Sequence, residues 1–139
     1  MIVVDTNVVL EAMSPRPDPV VVSWLNAQAA ETLHLPSVTL AELLFGVGAL
    51  PEGARKARLT EALNGLLALF PGRVLAFDQE SARRYADMAV AARATRRTLS
   101  VADGYIAATA ASRGFAIATR NTRHLKDTEV EIIDPWQSN

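Results

Sequence analysis

Cysteine is absent from the 139-residue sequence, which excludes a disulfide framework, a thiolate metal site and cysteine nucleophile chemistry, and suits a reducing compartment. Long apolar runs are absent too. The opening Met1-Ile2-Val3-Val4-Asp5 carries neither a basic region nor an apolar stretch of signal-peptide length, and no later segment approaches a membrane span. A cytoplasmic protein without a membrane partner is therefore expected. Charge of one sign is lacking as well: 14 basic residues stand against 15 acidic ones, so the chain does not advertise indiscriminate electrostatic binding to nucleic acid. No glycine-rich phosphate cradle is present, which argues against a nucleoside triphosphatase, and Ser23, Ser37, Ser81, Ser100 and Ser112 sit in no nucleophile-elbow pattern.

What is present is an ordinary globular composition, half apolar and about a fifth charged, at a length where one core buries roughly 65 to 70% of the unfolded surface. A single domain over residues 1-139 is expected. Ile2-Val3-Val4 reads as a strand that stops at Asp5-Thr6-Asn7, whose oxygens can cap a helix containing Val8 to Met13. Asp18 with Pro19 starts another helix. Leu33-His34-Leu35 before Pro36 reads as a second strand, followed by helical patterns from Thr39 towards Pro51 and from Gly53 to Leu69. Arg73 to Phe77 is a third strand. It hands over at Asp78 to a helix expected to bury Ala82, Tyr85, Ala86 and Ala89 opposite its arginines. Ser100 opens a helix that Gly114 stops, Phe115 to Thr119 is a fourth strand, and Val130 to Ile133 is a last one. Alternating strands and helices predict an α/β fold: a central parallel twisted sheet of four to five strands with helices on both faces.

In such a sheet the reactive site lies outside the carboxyl ends of the strands. Asp5 ends the first strand, Glu42 is expected in the first turn after the second, Asp103 lies in the first turn of the helix from Ser100, and Asn121 follows the fourth strand. Each acid has a structural alternative. Asp5 can be a simple cap, and Thr39-x-x-Glu42 and Ser100-x-x-Asp103 both fit the capping-box pattern. Gathered on one edge, however, three carboxylates would repel one another by several kcal/mol unless a cation lay among them. Helix N-termini would favour their ionised forms. An all-oxygen set without cysteine or paired histidine suits Mg2+ or Mn2+, and such an ion supports hydrolysis of a phosphodiester by an activated water. His34, within a strand, reads as structural, and His124 lacks a partner for general-base work. The basic residues fall in two groups, Arg83, Arg84, Arg93, Arg96 and Arg97, then Arg113, Arg120, Arg123, His124 and Lys126; they can form either a phosphate-binding face or a solvated one.

Four blocks in register, Val4-Asp5-Thr6-Asn7-Val8, Ser37 to Leu43, Ala102 to Ala110 and Ala118-Thr119-Arg120-Asn121, resemble the VapC family of PIN-domain toxins. The final Asp134-Pro135-Trp136 looks most like its FitB-type members. The resemblance covers the whole chain. It implies a Mg2+- or Mn2+-dependent endoribonuclease, with Asp5, Glu42 and Asp103 as metal-binding acids, Thr6 and Thr119 as orienting hydroxyls, and Asn121 as a fourth site residue where an Asp can stand. It also implies a homodimer and a cognate VapB- or FitA-like antitoxin that blocks the cleft and makes any operon DNA contacts. Leu44, Phe45, Val47 and Leu50 could serve that partner, the core or a dimer interface. Two other readings are weighed against this one. A haloacid-dehalogenase-like phosphatase needs a second Asp where Asn7 stands, and a catalytically weak module that binds a partner protein or RNA has no reason to retain three mutually repelling acids.

Overall fold

The structure is a computed structural model that describes residues 1–126 and 128–137. Its centre is β1 (Ile2–Val4), flanked by β2 (Leu33–Pro36) and β4 (Ala116–Ala118), with β3 (Val74–Leu75) and β5 (Ile132–Ile133) outside them. All pairings are parallel, with Ile2 opposite both Leu33 and Ala116. The helices are α1 (Thr6–Met13), α2 (Pro19–Ala27), α3 (Ser37–Gly48), α4 (Ala54–Leu67), α5 (Gln79–Ala94), α6 (Val101–Ala111) and α7 (Thr122–Leu125).

Because successive side chains of a strand point to opposite faces, β1 divides its valines between two cores. Val4 joins Val8, Val9, Leu35, Leu43 and Leu63 on the face covered by α1 to α4. Val3 joins Ile106, Ala107, Ala110, Ile117 and Leu125 on the other. A strand buried on both faces has no use for polar alternation, which is why Ile2-Val3-Val4 is a continuous apolar run. The expected α/β architecture is present with five strands. No helix among the described residues is long and apolar enough to cross a membrane.

Several boundaries differ from the sequence expectation for identifiable reasons. Helix α3 begins at Ser37 with Pro36 as its cap residue, two residues before Thr39. Thr39 therefore lies buried inside the first turn and Glu42 one turn further on, so Thr39-x-x-Glu42 is not a capping box. Strand β3 is shorter than Arg73 to Phe77; Arg73 precedes it, its carbonyl accepting the Leu35 amide at 2.9 Å and its guanidinium donating to the carbonyls of Leu33, Ala30 and Leu69. Strand β5 starts at Ile132 after a turn in which Glu129 takes φ 63°. In α5 the buried side is Ser81 with half-buried Tyr85, Met88, Ala89 and Ala92; Tyr85 and Ala89 lie where expected, while Ala82 and Ala86 are exposed. Asp78 holds Ser81 through both its amide and its hydroxyl, which rotates the helix onto that face.

The tightest approach is between α5 and α6. A Cβ added at Gly104 would stand 2.6 Å from Cε1 of Tyr85, a ring held edge-on against Tyr105 at 4.7 Å between centroids. Gly104→Ala is expected to destabilise the protein by about 1–3 kcal/mol through overpacking, although alanine is the better helix former. Gly65→Ala, in α4 with nothing near the added carbon, is expected to stabilise by about 0.5–1 kcal/mol. Paired urea denaturation of the two variants distinguishes steric crowding from helix propensity.

Candidate active site

The chain runs from β1 outward to β2 and β3, then returns to β4 on the other side of β1, so the switch in direction lies between β1 and β4. Crevices at such a point lie outside the carboxyl ends of the two strands. Asp5 and Thr119 are the residues that follow β1 and β4 there, and the Thr119 hydroxyl donates to Asp5 Oδ2 at 2.6 Å.

Asp5 is only 3% exposed. It caps α1, its Oδ1 accepting the Thr6 amide at 2.7 Å, and its own amide donates to the Ala118 carbonyl at 3.0 Å. Burial pushes its carboxyl above the ordinary range, the bonds from Thr119 and Thr6 pull it back, and the carboxylates of Asp103 and Glu42 push it up again. The net shift is upward. The Thr6 amide at the α1 N-terminus favours the ionised form of Asp5, as expected, but desolvation outweighs it and the Thr119 hydroxyl. Its expected role as a cap holds, but a cap needs neither burial nor two nearby acids.

Glu42 is exposed, and its Oε1 accepts the Thr6 hydroxyl at 2.8 Å instead of bonding an amide of its own helix. Thr6 thus links the first turn of α1 to α3. Asp103 is half-buried in the first turn of α6, where the Ser100 hydroxyl accepts its amide at 3.2 Å. Its carboxylate makes no return bond among the described residues, so only half of the Ser100-x-x-Asp103 box forms. Asn121 opens α7 with its side chain exposed and its amide donating to the Thr119 hydroxyl at 3.0 Å. Asp5 stands within electrostatic reach of Glu42 and Asp103, and Asn121 joins them through Thr119.

The chemistry of the donor set fits a hard divalent ion. All donors are oxygens, and the most buried acid carries a charge that its surroundings fail to offset. Among the described residues no three acidic or imidazole groups converge as a preformed cage; Mg2+, which commonly keeps several of its waters, does not require one.

Sequence alone marks Asn7 only as a capping residue. In the structure its amide nitrogen lies 3.4 Å from both Asp5 Oδ2 and the Thr119 hydroxyl, and its oxygen accepts the Arg120 amide at 3.2 Å. It spans the switch point. The signal is the two-residue spacing from Asp5, which returns a first-turn side chain to the cap. Arg113, grouped with the basic residues, is a structural tie instead, donating to the carbonyls of Thr109 and Ala76 and standing 3.6 Å from Asp78. His34 is buried against Phe115, with Nδ1 at 3.1 Å from the Thr32 carbonyl, as a structural residue should be.

The PIN domain family model matches residues 2–130. The chain is 44% identical over 138 residues to the VapC ribonuclease Y4jK of Sinorhizobium fredii, covering 99% of each. It is 40% identical over 137 residues to the toxin FitB of Neisseria gonorrhoeae, covering 98% of this chain and 99% of that one. The crystal structure of FitAcB from the same organism superimposes with a TM-score of 0.94 at 40% identity, over 99% of this chain and all of that one.

A carboxyl raised by burial favours the fold in acid, and that contribution is lost as pH rises through the raised value. In the presence of chelator, the melting temperature of the native protein relative to Asp5→Asn is therefore expected to fall from acid to neutral pH. Differential scanning calorimetry across that range checks it; a constant difference would show that Asp5 carries no uncompensated charge.

Proposed function

The chain belongs to the PIN-domain family, and from its acidic edge we propose that it is the toxin of a VapC/FitB-type toxin–antitoxin pair, an endoribonuclease that requires Mg2+ or Mn2+. The observation that carries this reading is Asp5, its carboxyl raised by burial and then by two neighbouring carboxylates that a purely structural cap would not gather. The names of the VapC ribonuclease and FitB toxin relatives supply the reaction class and the biological setting.

Asp5, Glu42 and Asp103 would hold the ion. When bound, it supplies Lewis acidity towards the phosphate and a lowered pKa for water. Thr119 fixes the rotamer of Asp5 by donating to Oδ2, Thr6 fixes that of Glu42, and Asn7 holds the two strand ends at constant separation. Such supporting donors matter because a carboxylate free to rotate loses the orientation on which ion affinity depends. The exposed amide of Asn121 adds a neutral hydrogen-bonding group to the same edge.

A cavity of about 390 Å³ beside Thr6 and Glu42 is walled by Leu10, Met13, Val47 and Leu50. Leu44 and Phe45, at 51% and 76% exposure, stand on the same helix, whereas Val47 belongs to the core. A cognate antitoxin segment with apolar side chains would seat here and cover the acids. A homodimer and contact with DNA only through the antitoxin complete the proposed assembly.

With antitoxin-free protein and a cellular RNA pool, cleavage is expected with Mg2+ or Mn2+ and not with chelator. Asp5→Asn and Asp103→Asn are each expected to reduce it by about 100-fold or more, and Thr119→Val by about tenfold. Electrophoresis of the products reads the result, and cleavage that survives chelation or Asp5→Asn would refute the site.

A further inference from the structure

Two cavities outside the acidic edge meet each other. One, of about 220 Å³, is an apolar slot with Met88, Ala91 and Ala92 of α5 on one side and Leu99 on the other. It is smaller than the ~300 Å³ at which pockets for drug-sized ligands begin, and its walls suit one planar ring. The other, of about 370 Å³, is lined by Arg97, Thr98, Arg123, His124 and Lys126. Arg97, Thr98 and His124 line both, so the two form one continuous depression.

Its walls are tied to the acids along the chain. Arg97 and Thr98 lead directly into the cap of α6, the helix that carries Asp103, and Arg123 and His124 lie in α7, which Asn121 opens. Helix α5 ends in a tight turn, with the Arg97 amide on the Ala92 carbonyl at 2.8 Å and Arg96 at φ 55°. That left-handed position usually falls to glycine, and here it sets Arg97 and Thr98 onto the rim. Among the described residues no carboxylate pairs with Arg123, His124 or Lys126. The opposite end carries an excess of acid: a neighbouring cavity shares Met88, Ala91 and Thr128 with the slot but adds Asp87, Glu129 and Glu131 against a single Arg84. The balance of charge thus runs from basic at one end to acidic at the other.

We propose that this depression is a nucleotide subsite for single-stranded RNA, with an unstacked base in the apolar slot and its phosphate on Arg123, His124 and Lys126. The proposal rests on the ribonuclease reading and adds where the strand lies. It also requires an unpaired substrate, because a base held in a duplex cannot turn into the slot without first leaving its stack.

The test titrates full-length protein against a short fluorescein-labelled single-stranded RNA of mixed sequence, in chelator, following anisotropy at several salt concentrations. Arg123→Ala combined with Lys126→Ala is expected to weaken binding about tenfold and to lower the slope of log affinity against log salt by about 0.7 for each phosphate no longer neutralised. Ala91→Leu, which fills the slot from an exposed position, is expected to weaken binding about fivefold or more with the slope unchanged, and to leave a duplex of the same sequence unaffected. Circular dichroism confirms that each variant folds. If the parent protein cleaves RNA with Mg2+ but neither substitution moves binding, the subsite is refuted and the ribonuclease reading stands. If the parent binds as described but never cleaves, the ribonuclease reading falls and the subsite stands; if it neither cleaves nor binds, both fall.

Discussion

A carboxylate that water would solvate freely is instead sealed between two strand ends, and the edge of the sheet is organised around it. Asp5 keeps four neighbours in register: Thr6 through its amide, Thr119 through its hydroxyl, Asn7 through its side-chain nitrogen and Ala118 through the backbone. The Thr119 hydroxyl and the Thr6 amide offset part of the cost of burying the carboxylate, and Glu42 and Asp103 add to it. The site is thus held by bonds that stabilise the fold and strained by charges that do not. Strain of this kind is expected where binding of an ion, rather than folding alone, sets the arrangement.

The two faces of the sheet contribute differently. Apolar side chains of α1 to α4 make the larger core and leave a cavity opening beside Glu42. On the other face α6 is built largely from alanine and glycine, which allows Tyr85 of α5 to lie almost on its backbone. Close packing there fixes the start of α6, and with it Asp103. Arg97, Arg123 and Lys126 gather in one depression lined by the segments flanking that helix start, so a chain of nearly neutral balance still carries a local cluster of positive charge.

Much of this is legible in the sequence because local chemistry decides it. Asp5, Asp18, Asp78 and Ser100 cap the helices they precede, and Gly114 takes φ 69° after α6. The placement of Asp5, Asp103 and Asn121 follows from the strands and helix starts. Glu42 reaches the expected edge for a different reason: the pattern Thr39-x-x-Glu42 looks like a cap, but Pro36 already takes that role. What escapes depends on distant partners. Nothing near Arg113 in the chain announces Ala76 and Asp78, and the face that α5 buries is chosen by Ser81 and its bonds rather than by its alanines. Asn7 bridges to Thr119 across 112 positions, a separation no periodicity encodes.

That separation also orders assembly in time. Of the five strands the central one is synthesised before the others, yet its partner β4 ends only at Ala118. Until then β2 can pair with one side of β1, but the other side has no neighbour and Asp5 has no hydroxyl to hold it. A nascent chain therefore carries Asp5 well before it carries the hydroxyl that holds it. The constellation closes only once β4 and Thr119 are available to fold, so a chain cut short before them would lack the bond that holds Asp5.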